Sequence, residues 1–284
     1  MDYYKERVNH ILSNGYKLPI KDVLTEAWDL LNKKLLLFVA YTFLFHILFL
    51  GLGVLHLPGT GLIRIALGYF LSAGLFVFCY RLSKLETSVK FEDFLPPQVV
   101  LGAILVSSIL YVILFRSVSF ALEEANIFIR EYLSEQMPNP EFSIEIILGI
   151  SWLILSKMLF ISWFSFFFLN LPIIVTYRIN SFIAVYDSIL ISIVRYSSIA
   201  LLLFIAYSPI LFAQILKEIY SIFGVSTGEN FISSPSHPRI ILTYFNTLVA
   251  VLLFPYILCV KYVIFDRIFG ISNEKKDEID LIGD

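Results

Sequence analysis

Charge is what this sequence has least of. Only 15% of its 284 residues are Asp, Glu, Lys or Arg, against about 25% in a typical soluble domain. Meanwhile 58% are hydrophobic and the mean hydropathy is +0.81. That balance excludes an ordinary soluble globular protein and predicts a polytopic membrane protein. A net charge of −2 with no basic stripe excludes nucleic acid as a partner. With only two cysteines, Cys79 and Cys259, a disulfide framework is excluded, and both read as apolar filler. The four histidines, His10, His46, His56 and His237, are too scattered for a ligand set. No HExxH, CxxC or Asp-rich loop accompanies them, so neither a metal nor any other cofactor is expected. No apolar stretch lies close to the N-terminus; 34 largely polar residues come first, which predicts no cleavable signal peptide. Hydrolase signatures are missing too: there is no Gly-x-Ser-x-Gly elbow. The pair Glu123-Glu124 with Arg130 is similar to the paired-glutamate motif of CAAX-type intramembrane proteases, but the arginine is wrongly spaced and the partner histidines are lacking. Those acids read as a solvated face, and no enzyme is expected.

What is present is apolar sequence measured out by basic residues. Arg195 and Lys217 enclose 21 uncharged residues, Arg239 and Lys261 another 21, Lys157 and Arg178 enclose 20, and Arg64 and Arg81 enclose 16. At 1.5 Å per helical residue, ~20 residues match the roughly 30 Å hydrocarbon core. We therefore read these eight residues as anchors at the membrane interfaces, with long side chains that snorkel outward where the spacing is short. Six spans follow: Leu35–Leu57, Leu62–Tyr80, Gln98–Phe115, Met158–Tyr177, Tyr196–Leu216 and Ile240–Val260. The fourth belongs to an apolar run from Phe142 to Ile179, too long for one perpendicular crossing. It is either one tilted helix or an outer helix at Ser143–Ser156 leading into the span.

Orientation follows from the flanking basic residues. Fifteen collect on one side and six on the other, which puts both termini in the cytoplasm and the acidic loop Ser117–Phe142 outside. Residues 1–18 form a cytoplasmic extension with a short helix ending near Gly15, residues 19–269 the membrane domain, and residues 270–284 a disordered tail. Ahead of the first span, Ile20, Val23, Leu24, Ala27, Trp28 and Leu31 share one helical face, and Pro19 suits a first turn. Such a helix lies along the headgroups with its apolar face down. The pattern recurs 162 residues later in Phe182, Val185, Tyr186, Ile189, Leu190 and Ile193, with Arg195 in the place of Lys33. A truncated version, Phe91, Phe94 and Leu95, precedes the third span. Three hairpins, each introduced by an in-plane segment, are one reading; a chance match of amphipathic linkers is the other.

Intramembrane polar residues are the candidates for a site. His46 is the one titratable group at mid-depth, and Asn170, Gln214 and Asn246 are the amides beside Pro172, Pro209 and Pro255. Proline frees a backbone carbonyl and kinks a helix, and broken helices mark some transporter sites. The simplest role of the amides and His46 is hydrogen bonding between helices. Gly68-x-x-x-Ser72 and Gly74 give the second span a face for close helix approach.

The run from Leu171-Pro172 through Arg178, Ser181-Phe182 and Asp187-Ser188 resembles a segment of six-span bacterial membrane proteins, the YciC-like group and the membrane domain joined to some glycerophosphodiester phosphodiesterases. Val23–Lys34 resembles their first amphipathic helix, and Pro255, Tyr256 and Tyr262 their last span; Ala184 precedes Asp187 where the group's alanine follows. The resemblance covers roughly residues 19–269 and implies the fold and a bacterial inner membrane, not an activity. The expectation is an all-α integral membrane protein with six transmembrane helices and amphipathic interfacial helices on the cytoplasmic face. Its partners are membrane lipids and either a second protein or a further copy of itself. Its function is a lipid- or partner-binding scaffold; alternatives are a transporter of an apolar or neutral solute and a lipid-modifying enzyme.

Overall fold

A computed structural model describes residues 2–54, 60–84, 91–136, 142–226 and 237–271. Among them all regular structure is helical. The α-helices are α1 (Asp2–Asn14), α2 (Ile20–Lys33), α3 (Leu35–Val54), α4 (Thr60–Lys84), α5 (Leu101–Gln136), α6 (Phe142–Phe164), α7 (Asn170–Tyr177), α8 (Ser181–Val194), α9 (Tyr196–Ser226) and α10 (His237–Phe269). Short 3₁₀ turns at Phe91–Phe94 and Gln98–Val100 lead into α5. Among the described residues, five stretches are long and apolar enough to cross a membrane: Leu35–Leu52, Ala66–Lys84, Gln98–Ile129, Tyr196–Leu216 and Thr247–Phe269.

The helix ends follow from local chemistry. α1 stops where Gly15 turns into the left-handed region at φ 67° and returns its N–H to Ile11, a conformation glycine adopts without steric cost. Arg178 caps α7 in the same region at φ 53°. Two residues on, the Asn180 side chain accepts the Phe182 N–H at 2.9 Å and starts α8. The expected fourth span is not one helix. Its break falls at Ser165–Leu169, which separates α6 from α7 through a string of tight turns. Nor is Ser117–Phe142 mainly a loop: α5 runs unbroken to Gln136, carrying exposed Glu123 and Glu124.

The proposed repeat takes a sharper form in the backbone. α2 and α8 each have 14 residues, and each meets the next helix at a single non-helical residue. Lys34 has φ −144°, ψ 42°; Arg195, 161 residues on, has φ −137°, ψ 42°. Each hinge carbonyl then accepts two N–H groups, from Leu37 and Phe38 at the first hinge and from Ser198 and Ile199 at the second. At this offset the buried faces coincide: Val23, Ala27, Leu30 and Leu31 fall on Ala184, Ser188, Ile191 and Ser192. The offset of 162 had matched apolar residues instead, and those look opposite ways. In α2 the apolar face is covered largely by α10. In α8 it looks outward, with Phe182 64% and Tyr186 63% exposed, while Ser181, Ala184, Asp187, Ser188, Ile191 and Ser192 face inward.

One apolar core runs through the assembly, and residues 2–18 belong to it: Tyr4, Val8, Ile11, Tyr16 and Leu18 are all buried. α1 lies against α8 and α10. The Tyr4 hydroxyl donates to Asp187 at 2.7 Å, Tyr16 donates to the Ile191 carbonyl at 2.9 Å, and Arg195 Nε donates to the Tyr16 carbonyl at 3.1 Å. Arg7 reaches the Phe269 carbonyl. α4 and α10 meet at buried Cys79 and Cys259, whose sulfurs are 3.8 Å apart. A bonded pair needs about 2.05 Å, so the two thiols must turn toward each other to join. Treatment of membranes with a membrane-permeant oxidant is therefore expected to give an internal cross-link, read as faster electrophoretic migration that reductant reverses. Cys79→Ser abolishes it. If the wild-type chain gives no cross-link, α4 and α10 do not meet in this register.

Candidate functional site

Several polar residues inside the apolar helices are linked as neighbours. Tyr69 on α4 packs against Tyr111 on α5, ring centroids 5.4 Å apart. Tyr207 on α9 lies within electrostatic reach of Tyr111, and Lys261 on α10 holds its ammonium 5.6 Å from the centroid of the Tyr207 ring. Ser107 on α5 donates to Asn170 Oδ1 at 3.4 Å. Tyr69 sits beside Ser107, whose proton goes to Asn170, and among the described residues no group reaches the buried Tyr69 hydroxyl with hydrogen-bond geometry.

The second feature is a cleft of about 520 Å³ on the neighbouring side of α9. Ile154, Lys157 and Met158 of α6 line it, facing Phe204, Ser208, Pro209, Leu211, Phe212 and Ile215 of α9. Apart from Lys157 and Ser208 its wall is apolar. Pro209 cannot bond the Ile205 carbonyl, and the Ser208 hydroxyl takes that carbonyl at 2.7 Å, so the proline leaves no open acceptor. Pro172 is the third residue of α7, a first-turn position where a missing N–H costs nothing; it begins a helix rather than kinking one.

No protein-family model, no curated protein and no solved structure matches the chain.

Three of the four polar residues singled out from sequence, His46, Asn170 and Gln214, have described side chains. His46 on α3 bonds within its own helix, Nδ1 lying 3.2 Å from the Thr42 carbonyl. Asn170 is buried and joins α7 to α5. Gln214 is half-buried on α9, and among the described residues no hydrogen bond links any two of these three. The Asn246, Lys217 and Arg239 side chains lie outside the described residues. Of the other anchors, Arg81 pairs with Asp93 at 2.9 Å, Arg178 and Arg195 occupy helix ends, and Arg64 is half-buried on α4. Lys157 lies in the cleft, and Lys261 falls inside the apolar stretch Thr247–Phe269 rather than at its end. Sequence reasoning missed Tyr69, Ser107, Tyr111 and Tyr207 because tyrosine and serine in an apolar run count as filler. Three tyrosines deep within long runs were the available signal. Chemically the cluster is rich in donors, and no acid or histidine joins it. Among the described residues, no group of three potential metal ligands occurs.

Proposed function

We propose that this chain is a non-enzymatic multi-pass protein of the cell membrane that binds an anionic phospholipid between α6 and α9. The cleft carries this reading. Along α9 it extends from Phe204 to Ile215, about 16 Å of helix rise, which matches one leaflet of a roughly 30 Å core. Its volume falls within the range of small-molecule sites. Apolar walls suit an acyl chain, and Lys157, which has no acidic partner among the described residues, suits a negatively charged headgroup. A neutral solute would leave that ammonium without a counter-charge, which favours the lipid over solute transport. In this reading α6 and α7 together make the fourth of six crossings, α2 and α8 lie at the cytoplasmic interface with both termini on that side, and the outward face of α8 sits in the headgroup region. Membership of the YciC-like group, in a bacterial inner membrane, is part of the same proposal.

The test is native mass spectrometry of the protein released from nanodiscs of mixed phosphatidylglycerol and phosphatidylcholine. One phosphatidylglycerol is expected to stay bound to the wild-type chain, and Lys157→Ala to weaken it about tenfold, the scale of one charge-assisted contact. Equal retention of both lipids, or no change in Lys157→Ala, refutes the assignment.

A further inference from the structure

We propose a second binding site, for a ligand carrying an oxyanion, in the cluster of Tyr69, Ser107, Tyr111, Asn170, Tyr207 and Lys261. The site is distinct from the lipid cleft because Tyr207 and Ser208 are consecutive on α9, and consecutive helical residues point about 100° apart.

Three observations lead to an oxyanion. The cluster is rich in donors: Tyr69 packs on Tyr111, Tyr207 lies within electrostatic reach of Tyr111 and carries the Lys261 ammonium over its ring, and Asn170 Oδ1 already receives Ser107. The Asn170 amide also carries two N–H donors that it can turn toward a ligand. The Tyr69 hydroxyl is buried without a partner, and buried polar groups in folded proteins are almost always bonded. A group that brings acceptor oxygens satisfies it. Finally, Lys261 is an ammonium within an apolar stretch, held by the π face of Tyr207. Among the described residues no salt bridge joins Lys261 to an acid: Glu26 of α2 pairs with Arg267, and Asp93 pairs with Arg81. A cation in such surroundings calls for a counter-charge. A carboxylate and a phosphate both supply it.

The experiment measures ligand-dependent thermal stabilisation of the full chain in detergent with four probes: octanoate, octanol, octylamine and inorganic phosphate. Octanoate, phosphate or both are expected to stabilise saturably; octanol and octylamine are not. Stabilisation by octanoate alone identifies a carboxylate ligand, and by phosphate alone a phosphate ligand. Lys261→Met is expected to raise the half-saturating concentration at least tenfold, Lys261→Arg to restore most of the binding, and Tyr69→Phe to weaken it several-fold. Tyr111→Phe gives an independent weakening should Lys261→Met not fold. Lys157→Ala leaves binding unchanged, so this site and the lipid cleft stand or fall separately. The proposal is overturned if neither anion binds, if octanol or octylamine matches octanoate, or if binding follows Lys157 rather than the cluster residues.

Discussion

Deletion of residues 2–18 is expected to destabilise the whole helical body rather than to trim a tail. The segment supplies five buried hydrophobic side chains, Tyr4, Val8, Ile11, Tyr16 and Leu18, each worth roughly 1.5–3 kcal/mol of burial. It also supplies a donor to buried Asp187, the Tyr4 hydroxyl at 2.7 Å. A carboxylate stripped of its donor costs upwards of about 1–3 kcal/mol. Without the segment, Arg195 at the α8–α9 hinge loses the Tyr16 carbonyl and α10 loses the Arg7 contact at its end. The truncated chain should therefore aggregate on detergent extraction, or unfold well below the full chain, with early proteolysis in α8. A truncated protein as heat-stable as the full one would show that α1 is not part of the core. Tyr4→Phe isolates one contact and should cost about 1.5–3 kcal/mol, the range for a bond to a charged group. The tie also has a defined pH response. Burial pushes the Tyr4 hydroxyl above the ordinary tyrosine value near 10, and its hydrogen bond to Asp187 pushes the same way; burial likewise raises Tyr16. A raised folded-state value favours the protonated phenol. Its contribution is then complete below about pH 10 and is lost as pH rises from there through the folded-state value. Thermal unfolding followed from pH 6 to 11 should show tyrosine-linked loss only at the alkaline end, smaller in Tyr4→Phe.

The legible part of the sequence was its apolar length, because helix rise and bilayer thickness are fixed quantities. Leu35–Leu52 and Tyr196–Leu216 came out at the places where hydropathy put them. Periodicity was informative about faces but silent about their direction. It identified Phe182, Tyr186 and Ile193 as one face of α8 without saying that this face looks outward and that Ser188 and Ser192 pack inside. The one-residue error in the repeat offset came from that ambiguity, since matching apolar residue to apolar residue aligned a covered face with an exposed one. Basic residues are an ambiguous ruler where a lysine finds support within the protein: Lys261 has the Tyr207 ring beneath it and the helix continues past it to Phe269. The site was illegible for a related reason. Tyr69 packs on Tyr111 from the preceding α-helix, and Tyr207 comes within electrostatic reach of Tyr111 from α9, about a hundred residues on.

Gly74→Ala is expected to be the most damaging single-methyl change in the bundle. A Cβ at this position falls inside van der Waals contact of both the Tyr41 hydroxyl and the Phe94 backbone carbonyl. Neither has room to withdraw. Tyr41 stacks on Phe94 with centroids 4.0 Å apart, Phe94 stacks on Phe78 at 3.8 Å, and Phe38 closes the pile edge-on against Phe78 at 4.9 Å. Phe94 is also pinned through its neighbour, since Asp93 pairs with Arg81 at 2.9 Å. Overpacking a fitted core costs typically about 1–3 kcal/mol, and a clash against backbone belongs at the upper end. The other helical glycines provide the scale. Gly68→Ala meets only the far end of the Phe49 ring at 3.3 Å, and Gly51→Ala meets nothing within 4 Å. Gly51→Ala should gain up to about 1 kcal/mol from helix propensity, and Gly68→Ala should lie between the two. Tyr41→Phe in the Gly74→Ala background removes the hydroxyl but not the carbonyl, so it should recover only part of the loss. Thermal unfolding of these variants in one detergent gives the order directly. If Gly74→Ala proves as stable as Gly51→Ala, then α4 does not approach the Phe91–Phe94 turn this closely, and the stack of three rings is not what holds that turn to the bundle.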